Sequence, residues 1–147
     1  MKSTHGVPNL VQVHPGVWRG GQPTVEAGRY LKQSLGVTNG VKLNSGKDDY
    51  AEVVGMKITR IPIPFWQMML GPTPAQINQA RASITGGTYV HCSRGQDRTG
   101  LVVGEYRVKV EGWPKCRADC EMLNKDFHRS LISLWWFWNT GGYQSVN

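Results

Sequence analysis

The stretch Tyr89-Val90-His91-Cys92-Ser93-Arg94-Gly95-Gln96-Asp97-Arg98-Thr99-Gly100 constrains this chain more than any other. It reads as an apolar strand, a thiol, a glycine turn, an arginine and the opening of an apolar helix. Five residues separate Cys92 from Arg98, so one short loop joins strand to helix. A loop rising into a helix N-terminus aims several backbone N–H groups inward, and the helix dipole adds positive potential. That cradle suits a tetrahedral oxyanion such as phosphate. Gly95 supplies the backbone freedom of the turn. The planar fork of Arg98 can grip two oxygens at once, which a lysine cannot do.

The same placement suits Cys92 to be a nucleophile, because thiolates are favoured at helix N-termini and beside cations. Its sulfur can attack phosphorus in line and form a phosphocysteine that water later hydrolyses. Ser93, Arg94, Gly95, Gln96, Asp97 and Arg98 are the expected phosphate-binding residues, with Arg94 turned toward substrate. Thr99 is placed to donate its hydroxyl hydrogen to the departing sulfur. His91 is expected to order the loop, since a thiolate needs no base. A structural buried cysteine would not account for two arginines and Asp97 gathered around it.

The segment His91 to Gly100 resembles the phosphate-binding loop of the cysteine-dependent protein tyrosine and dual-specificity phosphatase superfamily. Trp18-Arg19-Gly20-Gly21-Gln22-Pro23 is similar to the entry turn of an atypical dual-specificity branch, and the likeness runs from Trp18 to about Met122. The resemblance implies a single α/β domain over residues 1–147, with a mostly parallel sheet of four or five strands and helices on both faces. It also implies metal-free, cofactor-free phosphomonoester hydrolysis on phosphotyrosine, phosphoserine or phosphothreonine, with phosphate, sulfate or vanadate seated in the loop. Phosphoinositides, inositol phosphates and RNA 5′-triphosphate are the alternative substrates, and a catalytically weak phosphate-binding module is the alternative to an enzyme.

The chain in order supports such a domain. Leu10–Val13 and Val17–Arg19 read as a hairpin across His14-Pro15-Gly16. A helix follows, with Thr24 as N-cap and Gly36 as its stop. Val37–Leu43 reads as a core strand, Tyr50–Val54 as a short helix and Lys57–Ile63 as another strand. Pro74 opens a helix that Gly86-Gly87 ends, and Trp113-Pro114 opens one with Ala118, Met122 and Leu123 inside. The Trp-rich Leu131–Trp138 is expected to pack on the domain as a terminal helix rather than lie in a membrane interface. Residues 1–8 and 140–147 are expected to fray. Arg19 reads as a surface or structural ion-pair residue, with a substrate contact as the other reading.

Of the family's usual parts, the proton donor is the hardest to place. In the relatives a loop at the position of Pro62–Pro72 covers the site and often carries an acidic Asp. Here no Asp, Glu or His lies between Met56 and Val90. Asp97 is the expected general acid, by its place in the cradle and by resemblance to myotubularin-type phosphatases. Asp48 and Asp49 are the alternative. Within Phe65-Trp66-Gln67-Met68-Met69-Leu70, Trp66 is expected to line the pocket and the rest to pack on the sheet.

Charge and cysteine usage bound the rest. With 17 Lys and Arg against 10 Asp and Glu the net charge is +7, which favours anionic substrates. No Lys/Arg run of a nucleic-acid arm is present, so no obligate nucleic acid is expected. Three cysteines without disulfide-style spacing point to a reducing compartment, and Cys116 and Cys120 are expected to be core or half-exposed thiols rather than metal ligands. No apolar leader or run of about 20 residues suggests secretion or a membrane span, so the cytoplasm is the expected location.

Overall fold

The computed structural model describes residues 3–46 and 49–140, apart from the side chains of Asp49 and Phe65. Two short strands, β1 (Ser3–Thr4) and β2 (Val7–Pro8), open the chain as a small antiparallel hairpin. Residues 3–8, expected to fray, form this hairpin. His5 and Gly6 both take positive φ, the backbone of a tight hairpin turn, and Val7 is fully buried. The His5 ring stacks on Tyr30, with centroids 4.1 Å apart.

The main sheet has five strands in the order β3-β4-β7-β5-β6, comprising β3 (Val11–His14), β4 (Val17–Gly20), β5 (Asn39–Lys42), β6 (Lys57–Arg60) and β7 (Thr88–His91). Only the edge pair β3–β4 is antiparallel; β4, β7, β5 and β6 run parallel. The expected mostly parallel sheet with an edge hairpin is the one observed. β7 is central and buried at all four residues, as a strand covered on both faces must be.

Alternation along β7 divides the core. Tyr89 packs with Ala27, Leu31 and Tyr50 beneath α1 (Val25–Gln33) and α2 (Asp49–Val54). Val90 faces the other way, into a larger cluster with Val41, Ile77, Leu101 and Met122. That cluster is roofed by α4 (Pro74–Ala82), α5 (Arg98–Lys109), α6 (Lys115–Asn124) and α7 (Ile132–Thr140). Helix starts follow the caps in the sequence: Thr24 accepts from Ala27 N–H, and Thr73 with Gln76 forms a capping box before Pro74.

Three local expectations are corrected. Phe65–Leu70 is a helical turn, α3, rather than a stiff loop: Pro64 precedes the first helical residue, where it costs no hydrogen bond, and Gly71 ends the turn at φ +98°. Leu123 lies on the outer face of α6 and is exposed, while Ala118 and Met122 are inside. Cys116 and Cys120 share that outer face and are exposed free thiols. The terminal Trp-rich helix does pack onto the domain, burying Leu134, Phe137 and Trp138.

Candidate active site

The loop from Cys92 to Asp97 leaves the C-terminal end of β7 and climbs into α5. Cys92 is buried, and its sulfur accepts the Gly95 N–H at 3.3 Å. This bond turns the loop back over the thiol, and it requires Gly95 at φ +76°. A side chain there would also collide with the chain beneath, since a Cβ on Gly95 would lie 2.2 Å from the Gly20 carbonyl carbon.

That close approach explains the glycines of the entry turn. A Cβ on Gly21 would sit 2.6 Å from the Ser93 oxygen, so Gly20-Gly21 form a floor under the loop. Gln22 N–H donates to the Ser93 carbonyl (2.9 Å) and the Asn9 side-chain amide to the Arg94 carbonyl (2.7 Å). Two of the loop's carbonyls are thus engaged from outside the loop, while the Gly95 N–H is aimed at the thiol.

Arg19 is the main brace. It is not a surface residue: it is buried, and Nη2 donates to the Gly95 carbonyl at 3.0 Å. Burial pushes its guanidinium below the ordinary arginine value, while Glu121 and Cys92 pull the other way. His91 supports the loop from behind, fully buried. Its Nε2 meets the Tyr50 hydroxyl at 2.5 Å, and its ring stacks on Tyr89. Burial raises Tyr89 well above the usual phenol value, so it stays a neutral donor, to the Gly21 carbonyl.

Cys92, Ser93, Arg94, Asp97 and Arg98 line one open cleft of about 360 Å³, together with Met68, His128, Ser130 and Leu131. Arg98 is tethered by Nη1 to the Ile63 carbonyl (2.8 Å), while its buried Nε has no partner among the described residues. A guanidinium fixed at one corner with a free N–H edge is poised for an oxyanion. Thr99 Oγ1 is likewise buried and without a partner among the described residues, and the group donating to sulfur here is Gly95 N–H. Gly95 lies behind the cleft, while Gln96 is half-buried beside it with its side-chain oxygen unpartnered among the described residues.

Asp97 is the N-cap residue of α5, yet its side chain makes no capping bond. Instead Oδ1 accepts the backbone N–H of His128 at 2.7 Å, and both carboxylate oxygens stand 3.1 Å from His128 Nδ1. His128 is a site residue that sequence reasoning missed. It arrives from the connection between α6 and α7, where Asp126 takes φ +65° and Phe127 turns into the core. Trp66 is not in the cleft: it is 61 % exposed on α3, and Met68 lines the cleft in its place. Of the alternative acids, Asp48 and the Asp49 side chain lie outside the described residues.

Among the described residues no group of three His, Cys, Asp or Glu side chains is placed to hold a metal ion, and no helix is long and apolar enough to cross a membrane. No family model and no curated protein matches the sequence. Solved structures do match the fold. The core catalytic domain of the PP-IP phosphatase SIW14 from S. cerevisiae, in complex with citrate, superposes with a TM-score of 0.76 at 18% identity, over 93% of this chain and 87% of that one. TpbA from P. aeruginosa gives 0.75 at 21% identity, over 94% and 87%. A cysteine-to-serine variant of TpbA in complex with phosphotyrosine gives 0.70 at 23%, over 92% and 85%. The chain thus has the fold of the cysteine-based atypical dual-specificity and tyrosine phosphatases.

Proposed function

We propose that this chain is a cysteine-dependent phosphatase that hydrolyses phosphomonoesters through a phosphocysteine intermediate. The observation that carries the reading is the pairing, in one cleft, of Cys92 under the Gly95 N–H with the unpartnered Nε edge of Arg98. Cys92 Sγ attacks phosphorus from below while the ester oxygen leaves toward the cleft mouth. Arg98 and the inward N–H groups of Ser93 to Arg98 hold the equatorial oxygens, whose charge grows in the transition state. Arg94, exposed on the rim, favours strongly anionic substrates. Asp97 is the one carboxylate among the described cleft-lining residues, and the leaving oxygen must be protonated as the ester bond breaks.

For substrate, phosphorylated protein side chains are supported by the phosphotyrosine complex of the TpbA variant. Inositol phosphates are a second reading, supported by the likeness to a PP-IP phosphatase and by the two arginines of an open cleft. A thiol nucleophile requires a reducing environment, so the cytoplasm is the location this reading assigns.

The test is hydrolysis of p-nitrophenyl phosphate in the presence of a chelator, wild type beside Cys92→Ser. Turnover should fall on the order of 10⁴-fold or more in the variant, the scale of losing a covalent nucleophile. A wild type that binds vanadate yet never turns over would replace the enzyme with a phosphate-binding module.

A further inference from the structure

We infer that the proton for the leaving oxygen comes from His128, and that Asp97 is its positioning residue. The inference rests on the phosphatase reading and names the one part of that mechanism the lid segment does not supply. Asp97 directs both carboxylate oxygens at His128, binding Nδ1 at 3.1 Å and the same residue's backbone N–H at 2.7 Å. A carboxylate so engaged holds the imidazole by Nδ1 and fixes the plane of the ring. The opposite ring nitrogen, Nε2, makes no hydrogen bond to a described residue, and the ring lines the same cleft as Cys92. The His128 side chain is 50% exposed against 14% for Asp97, so the imidazole rather than the carboxylate meets a substrate entering the cleft.

The connection between α6 and α7 is built to deliver this residue. Lys125 and Asp126 close the end of α6 through bonds to Glu121, Met122 and Leu123 carbonyls. Phe127, donating to the Met122 carbonyl, then buries its ring in the core. His128 follows at the N-terminus of α5, and Leu131 N–H donates back to its carbonyl. The charged and titratable groups that share the cleft with the imidazole are Asp97, Arg94, Arg98 and Cys92, with Asp126 and Arg129 beside it in the chain.

The chemistry balances in two steps. Cys92 thiolate forms the S–P bond as the P–O ester bond breaks. The ester electron pair goes to the leaving oxygen, which takes the proton from imidazolium Nε2. Neutral Nε2 then accepts a proton from water as its oxygen attacks phosphorus, and the S–P bond returns its pair to sulfur. The products are alcohol, phosphate, thiolate and imidazolium, so the cycle closes. Imidazole is the side chain best suited to exchange a proton between pH 5 and 8.

The test compares kcat on p-nitrophenyl phosphate, whose leaving group needs little protonation, with kcat on phenyl phosphate, whose leaving group needs more. His128→Ala should lower kcat on phenyl phosphate about 10²-fold or more and on p-nitrophenyl phosphate far less, the pattern of a lost general acid. Added imidazole should restore part of the rate. Asp97→Asn should show the same leaving-group pattern to a smaller degree, because the imidazole remains but is no longer held. Vanadate affinity checks that the cleft persists, and His128→Gln, which keeps a nitrogen donor for Asp97, is the second variant if the alanine loosens the connection. Equal losses on both substrates, or a selective loss on phenyl phosphate in Asp97→Asn with none in His128→Ala, would overturn the assignment. Wild type without turnover, or Cys92→Ser with it, would instead sink the phosphatase reading and this assignment together.

Discussion

Gly95→Ala should unhinge the phosphate loop while removing no charged group. An alanine at φ +76° costs about 1–2 kcal/mol for its left-handed backbone. Its Cβ would meet three backbone atoms of Gly20, at 2.2, 2.5 and 2.7 Å, and none belongs to a side chain that could swing aside. Carbon atoms rest at about 3.5–4 Å, so the loop must rise by roughly 1 Å. Such a rise breaks the Arg19 bond to the Gly95 carbonyl, now 3.0 Å, for a further loss of about 1.5–3 kcal/mol as a bond from a charged donor. It also draws the Gly95 N–H off the Cys92 sulfur. The sum is about 2.5–5 kcal/mol, which for a domain of this size lowers Tm by roughly 5–20 °C. Thermal melting and vanadate titration of the same sample measure both consequences. A variant melting within about 2 °C of wild type, with unaltered vanadate affinity, would refute the claim that this glycine is required by its floor.

Two further predictions concern the scaffold. Arg107 holds Glu121 with two nitrogens (3.1 and 3.0 Å), Glu111 at 2.8 Å and the Val13 carbonyl at 2.8 Å, with its guanidinium 4.1 Å from the Trp113 ring. Arg107→Lys keeps the charge but loses the fork, and denaturant unfolding should show a loss of about 2–3 kcal/mol; a loss under about 0.5 would mean the fork is redundant. Burial raises Glu105 above the ordinary carboxylate range, against the pull of Lys109, Arg81 and Lys115. A carboxyl raised in the folded state contributes stability that is complete below its unfolded value and lost as pH rises through its folded value. Glu105→Gln should therefore be more stable than wild type at neutral pH, with the gap closing in acid; no gain at pH 7 would contradict the burial argument.

Much of the cradle was legible because its signals are local. A buried strand, a positive-φ glycine and a helix start lie within twelve consecutive residues, Tyr89 to Gly100, and each is dictated by nearest-neighbour sterics and hydrogen bonding. The parallel sheet followed from strands alternating with capped helices, since parallel pairs need crossovers. What escaped were short elements and outward faces. Pairs of two residues make no periodic signal, so β1 and β2 went unread. A helix flanked by prolines looks like a loop when the proline before its first residue is mistaken for a breaker. Trp66 and Leu123 are apolar at positions that the helix turns outward.

The amino-acid sequence by itself determined the strand–loop–helix unit, the identities of the thiol and the arginine within it, and the α/β class. Tertiary structure alone decided which distant groups complete the site. Arg19 lies 76 residues from the carbonyl it braces, Ile63 35 residues from the arginine it anchors, and His128 31 residues from Asp97. None of these pairings has a local signature, because each depends on where a sheet edge, a proline-rich segment and a helix connection come to rest. Phe127 illustrates the reason. The hydrophobic burial of that one ring fixes the connection against the domain, and from there the histidine that follows it reaches Asp97.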